Sequence, residues 1–175
     1  MKRLMLVRHA ETEWSAPTGK DFDRQLTPKG LRDARAMATM LRSAHFIPDR
    51  ILTSSAVRAI QTAHIFRDTL GLDNTLVQSS DMLYEPSVNS FYNTVETIPN
   101  GVQTAFIFSH NPGISAFCNE LDIGPMVNLA PCDVFALELN TERWDEISHT
   151  EKKIPVLQTS RPVMTHSGKY ILQKA

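Results

Sequence analysis

Short apolar runs of strand length recur along the chain, separated by turn residues or by amphipathic stretches. Residues 104–109 (TAFIFS) are apolar and rich in aromatic and β-branched side chains, which is typical of a buried strand in a parallel sheet. Residues 133–140 (DVFALELN) alternate, which indicates an edge strand. Strands are also predicted at residues 3–7, 50–55 and 75–80 and near Ile154–Leu157.

The segments between these strands carry apolar residues at helical spacing. The clearest helix is predicted over residues 26–43 (LTPKGLRDARAMATMLRS), where Thr27 can cap the first turn and Pro28 fits it. Further helices are predicted at residues 55–71 with Ser54 or Ser55 as the cap, at residues 87–98, and at residues 114–121 with Asn111 as the cap.

Strand and helix patterns therefore alternate, with no internal repeat and no break in composition. This alternation predicts an α/β fold in which helices cover both faces of a mainly parallel central sheet, a three-layer α/β/α arrangement. A length of 175 residues suits one domain with a sizeable core, so residues 1–175 are expected to form a single domain.

Composition and charge exclude several classes of partner. The formal net charge is −1, which gives no support for nucleic acid or an anionic membrane as a partner. No apolar stretch approaches the roughly 20 residues that span a bilayer. The two cysteines, Cys118 and Cys132, form neither a CxxC pair nor a disulfide framework. We therefore expect a cytoplasmic protein.

Candidate chemistry lies where the predicted strands end. Arg8 and His9 directly follow the first strand, Arg58 falls in the first turn of the helix after the second strand, and His110 follows residues 104–109. Ligands of parallel sheets bind beyond these carboxyl ends, where helix N-termini add positive dipoles. Cationic groups gathered there would repel one another unless they surround a doubly negative group such as phosphate.

Several motifs resemble, in the same order, those of the histidine phosphatase superfamily, the phosphoglycerate mutase-like proteins. The stretches are "LVRHAET", "LTPKG", "ILTSSAVRAIQTA" and "FSHNPG", and together they span roughly residues 3–121. Ala10 stands where the family usually has glycine, and Gln25 where proline is common. The chain is most similar to the short SixA-type members, the phosphohistidine phosphatases.

The resemblance implies roles for individual residues. His9 would be the nucleophile and would form a phosphohistidine intermediate. Arg8, Arg58 and His110 would bind the phosphoryl oxygens, and Glu85 would donate a proton to the leaving group. No cofactor and no metal are implied, because fixed cationic side chains supply the electrostatic stabilisation.

The favoured function is thus a metal-independent phosphohydrolase that dephosphorylates phosphohistidine on proteins. One alternative is a phosphatase of a small sugar or nucleotide phosphate ester, and Glu85 would favour it because an alkoxide leaving group needs an acid. Another is a non-catalytic module that binds a phosphorylated ligand. Glu11, Thr12 and Glu13 are candidates for the mouth of the site, and the oligomeric state is open.

Overall fold

A six-stranded mixed sheet organises the computed structural model, which describes residues 1–123, 126–153, 156–157 and 173–174. Its strands run in the order β3-β2-β4-β1-β5-β6. β1 to β4 are parallel, whereas β5 is antiparallel to β1 and β6 is antiparallel to β5. The strands are β1 Lys2–Arg8, β2 Arg50–Ser54, β3 Val77–Ser80, β4 Thr104–Ser109, β5 Val134–Leu139 and β6 Lys152–Lys153.

A separate short parallel pair joins β7 (Val156–Leu157) to β8 (Gln173–Lys174). The strand predicted near Ile154–Leu157 is therefore found in part, because Ile154 lies outside the described residues. No helix among the residues described above is long and apolar enough to cross a membrane.

The α-helices lie close to their predicted positions: α1 Pro28–Ser43, α2 Val57–Leu70, α3 Val88–Glu96 and α4 Gly113–Glu120. Thr27 caps α1 as predicted, since its side chain accepts a hydrogen bond from the Gly30 amide. The caps predicted for α2 and α4 are wrong, because Ala56 and Pro112 occupy those positions. The Ser54 hydroxyl instead contacts His110, and the Asn111 amide donates hydrogen bonds to the Asn128 side chain and the Leu129 carbonyl.

Helices cover both faces of the sheet, which confirms the predicted three-layer α/β/α fold. Successive residues of β1 point to opposite faces, so Leu4 packs in one core cluster and Met5 in the other. Phe91 of α3 and Phe117 of α4 belong to the cluster with Leu4, whereas Phe66 of α2 belongs to the cluster with Met5. The prediction of an edge strand at residues 133–140 is wrong, because β5 is buried throughout and lies between β1 and β6.

Two glycines allow close approaches that shape the carboxyl edge of the sheet. A Cβ atom on Gly30 would lie 2.2 Å from the backbone oxygen of Glu11, and one on Gly113 would lie 2.1 Å from that of Pro86. Both distances are far below van der Waals contact. The glycines of the "LTPKG" and "FSHNPG" stretches therefore let the first turns of α1 and α4 pack directly against neighbouring loops.

Candidate active site

Adjacent parallel strands bring two histidines together at the carboxyl edge of the sheet. Arg8 of β1 pairs in register with Ser109 of β4, so the next residues, His9 and His110, emerge side by side. The His9 amide donates a hydrogen bond to the Ser109 carbonyl over 3.0 Å. The two imidazole centroids lie 5.0 Å apart. Residues distant in sequence thus meet because β1 and β4 are neighbours.

A cavity of about 380 Å³ opens at this edge. Its lining includes every site residue predicted from the sequence: Arg8, His9, Arg58, Glu85 and His110. Glu11 and Thr12 also line it, but Glu13 does not, and Cys118 of α4 is buried in the core. Burial raises the pKa of the Cys118 thiol, which keeps this group protonated.

His9 is held as a neutral imidazole with one free nitrogen. Its Nδ1 lies 2.8 Å from the Ala10 carbonyl oxygen. A carbonyl can only accept, so Nδ1 carries the proton and Nε2 keeps its lone pair. Burial lowers the pKa of His9 to about 4; the hydrogen bond to Ala10 opposes this shift, and the guanidinium groups of Arg58 and Arg8 add to it. At neutral pH, His9 can therefore act as a nucleophile.

His110 is oriented by a serine at the end of the neighbouring strand β2. Its Nε2 lies 2.7 Å from the Ser54 hydroxyl, which also accepts a hydrogen bond from the Ala56 amide over 3.2 Å. Among the described residues no other acceptor lies within hydrogen-bond distance of this hydroxyl, so its hydrogen is directed to Nε2, which assigns the proton of His110 to Nδ1. The pKa of His110 is lowered to about 3, mainly by burial and further by the nearby His9 imidazole and Arg58 guanidinium. His110 is therefore a neutral donor through Nδ1.

Three buried side-chain nitrogens at this site lack a hydrogen-bond partner within the described part of the chain: Nε of Arg8, Nε of Arg58 and Nδ1 of His110. Buried donors without partners are rare in folded proteins, since each costs about 1–3 kcal/mol. All three belong to residues that line the same cavity. Their convergence matches the needs of an anion with several acceptor oxygens, such as a phosphoryl group.

A carboxylate missed by the sequence analysis holds Arg58 in place. Arg58 donates from Nη1 to the backbone oxygen of Asp21 over 2.6 Å and from Nη2 to its carboxylate over 2.8 Å. Partial burial opposes the effect, but hydrogen bonds from Arg24 and Arg58 hold the pKa of Asp21 below its usual range. Because Asp21 takes one donor from each terminal nitrogen, Arg58 Nε stays available for a ligand. The only sequence signal was the loop "DFDRQLTPKG", in which Asp21 has no distinctive spacing.

Arg24 ties the long loop between β1 and α1 together. Its Nε donates to the Glu13 carbonyl over 2.7 Å, its Nη1 to the Asp21 carboxylate over 2.9 Å, and its Nη2 to the Thr12 hydroxyl. Every nitrogen of the guanidinium is therefore engaged inside the protein. Although Arg24 lines the cavity, it acts as a structural tie between segments of the loop.

Glu85 stands at the exposed rim of the cavity with a left-handed backbone conformation, φ 48°. This conformation is uncommon for a side-chain-bearing residue and recurs at functional sites. Pro86, the next residue, is the one packed against Gly113 at the start of α4. In contrast, the carboxylate of Glu11 is engaged by Lys29 at 3.3 Å and by the Thr27 hydroxyl at 3.1 Å. Of these two acids, Glu85 is the one placed to serve a ligand.

The arrangement suits transfer of a phosphoryl group to an imidazole. A neutral imidazole with a free nitrogen faces a pocket of fixed donors, and a carboxyl group stands at the mouth of this pocket. Within the described ranges, no group of three or more histidine, cysteine or acidic side chains is arranged to hold a metal ion.

Comparison with known proteins agrees with this geometry. The sequence model of the histidine phosphatase superfamily (branch 1) matches residues 4–97. That segment contains Arg8, His9, Arg58 and Glu85. An uncharacterized chloroplastic protein of Arabidopsis thaliana is 28% identical over 163 residues, which cover 83% of this chain and 70% of that protein.

Solved structures share the fold over nearly their whole length. A protein of Nakamurella multipartitia, assigned as the phosphohistidine phosphatase SixA, is 26% identical with a TM-score of 0.72, and the similarity covers 90% of this chain and 95% of that one. The protein histidine phosphatase SixA in complex with tungstate is 23% identical with a TM-score of 0.74, covering 86% and 93%.

Proposed function

Because the chain belongs to the histidine phosphatase superfamily and is of the SixA type, it is a phosphatase, and we propose that it hydrolyses phosphohistidine on proteins. The observation that carries this proposal is the pairing of a neutral His9, whose Nε2 is free, with three buried donors that lack partners. A phosphoryl group bound to those donors would present its phosphorus to the imidazole.

The proposed reaction proceeds in two displacements. His9 Nε2 attacks phosphorus, a new P–N bond forms on His9, and the P–N bond to the substrate breaks as the leaving imidazole takes up a proton. Water then attacks the phosphorylated His9, which releases inorganic phosphate and restores the neutral ring. Arg8, Arg58 and His110 hold the phosphoryl oxygens in both steps, and no metal is needed because these donors balance the transferred charge.

Glu85 is proposed as the proton donor to the leaving group in the first step and as the base for water in the second. Its position at the mouth supports the second candidate function, hydrolysis of a small sugar or nucleotide phosphate ester. An alkoxide leaves only when an acid protonates it, so ester hydrolysis would depend on Glu85. The P–N bond of phosphohistidine is labile, so its cleavage depends less on a proton donor.

We also propose that residues 1–175 act as one catalytic domain in the cytoplasm. Both core clusters share the same central sheet, which supports a single folding unit. Cys118 and Cys132 are buried and unpaired, which suits a reducing compartment.

The test follows phosphate release from a protein carrying phosphohistidine and from a sugar phosphate ester, whose leaving group is an alkoxide. Wild type is expected to form an acid-labile phosphoryl adduct, and His9→Ala is expected to form none and to lose turnover. His45→Ala, which removes an exposed histidine outside the cavity, is the matched control. Glu85→Gln should lose ester hydrolysis but retain most phosphohistidine hydrolysis.

Full turnover by His9→Ala would overturn the covalent mechanism. Tight binding of tungstate without turnover of either substrate would instead indicate the non-catalytic binding module. Equal loss on both substrates in Glu85→Gln would contradict the preference for phosphohistidine.

A further inference from the structure

A fully exposed tryptophan stands at the mouth of the catalytic cavity. Trp14 is 97% exposed, whereas Trp144, the other tryptophan, is completely buried. An indole left in water forgoes the stabilisation that burial would give, and its two faces are free to contact a ligand at the mouth of the cavity. Trp14 lines the same cavity as His9 and Arg58.

The backbone directly before Trp14 is held by hydrogen bonds to the other end of its loop. The Glu13 amide donates to the Gln25 carbonyl over 2.9 Å, and the Glu13 carbonyl accepts from Arg24 Nε over 2.7 Å. Thr12 forms an isolated antiparallel bridge with Leu26. The indole is therefore carried by an anchored segment, and a ligand that contacts it meets a preorganised surface.

The geometry of displacement directs the leaving group toward this mouth. In an in-line reaction the attacking and leaving atoms lie on opposite sides of phosphorus. His9 is 8% exposed and forms the inner wall of the cavity, so the group opposite it must point outward. Trp14, Asp21 and Glu85 are the exposed residues that line the cavity, and the Asp21 carboxylate is already engaged by Arg24 and Arg58.

We propose that Trp14 is a specificity-determining residue that stacks on the imidazole ring leaving from phosphohistidine. This inference rests on the proposed function and names the part of the substrate that the rim recognises. The ring is planar, and it is cationic when the nitrogen that does not carry phosphorus is protonated. An indole face binds such a ring by stacking and by cation–π attraction. This contact raises kcat/KM, because it stabilises the bound substrate and the transition state relative to the free species.

The test compares two substrates with the same kind of P–N bond, phosphohistidine as the free amino acid and phosphoramidate, which has no ring. Trp14→Ala is expected to lower kcat/KM for phosphohistidine about tenfold and that for phosphoramidate less than twofold. Trp14→Phe retains an aromatic face and should recover most of the loss. Met82→Ala, which shortens an exposed apolar side chain that does not line the cavity, is the matched control.

A second measurement does not depend on turnover. In a His9→Ala background, phosphohistidine should quench the emission of the exposed Trp14, and phosphoramidate should not, while the buried Trp144 supplies an unchanged reference. Equal losses on both substrates in Trp14→Ala, or no loss on either, would overturn the inference. So would loss confined to phosphohistidine within a protein, since that result indicates a protein-docking contact. None of these results contradicts the proposed function as long as His9→Ala abolishes turnover. Activity of His9→Ala would contradict the proposed function, whatever the Trp14 variants show.

Discussion

Acidification should destabilise the folded protein through His9, because burial lowers the pKa of this imidazole from 6.5 to about 4. The unfolded chain then binds a proton more readily than the folded protein does, so the stability is fully present above pH 6.5 and is lost as the pH falls toward 4. At pH 4.5 this difference corresponds to a loss of about 2 to 3 kcal/mol in the free energy of unfolding, relative to pH 7.5.

Urea unfolding at pH 7.5 and pH 4.5 measures this loss, with the fluorescence of the buried Trp144 as the probe. His9→Asn cannot take up the proton, so it should lose about 2 to 3 kcal/mol less than wild type over the same interval. His110 is present in both proteins, so its contribution to the pH-dependent loss of stability largely cancels when the two are compared. His45→Asn, which removes an exposed imidazole, should lose as much stability as wild type.

An equal loss in His9→Asn and wild type would refute the reasoning. It would mean that the folded protein accepts a proton on His9 as easily as the unfolded chain does. The claim that burial and the neighbouring guanidinium groups keep the His9 imidazole neutral would then be wrong.

Gly113→Ala should destabilise the protein by about 1–3 kcal/mol in urea unfolding, because the new Cβ meets a backbone carbonyl that cannot swing aside. Gly101→Ala has open space around it and is the control; equal stability of the two variants would contradict the close approach. Ser54→Ala should lower kcat about fivefold to tenfold with little change in KM, since one hydrogen bond holds the tautomer of His110. Ser55→Ala removes a hydroxyl bonded to Asp81 instead and should retain kcat, and an unchanged kcat in Ser54→Ala would exclude the orienting role.

The strands and helices that position the site could be predicted from the sequence, because each leaves a local pattern. The continuous apolar run of β4 is what burial on both faces of a parallel sheet requires. The site residues Arg8, His9 and His110 could be found because the residue types directly after such strands are visible in the sequence. The edge position of β5 was predicted wrongly, because alternation does not reveal which strands will lie on either side of it.

Contacts between side chains of different loops depended on the tertiary structure. Ser54 orients His110 only because β2 and β4 are neighbours in the sheet, and Asp21 reaches Arg58 from a loop 37 residues earlier. The segment that carries the exposed Trp14 is likewise held by Arg24, which bonds the Glu13 carbonyl from 11 residues further along the chain. The order of strands in a sheet and the path of a long loop are set by packing across the whole molecule. A periodic pattern along the chain predicts which residues are buried, but it does not predict which partner a polar side chain will contact.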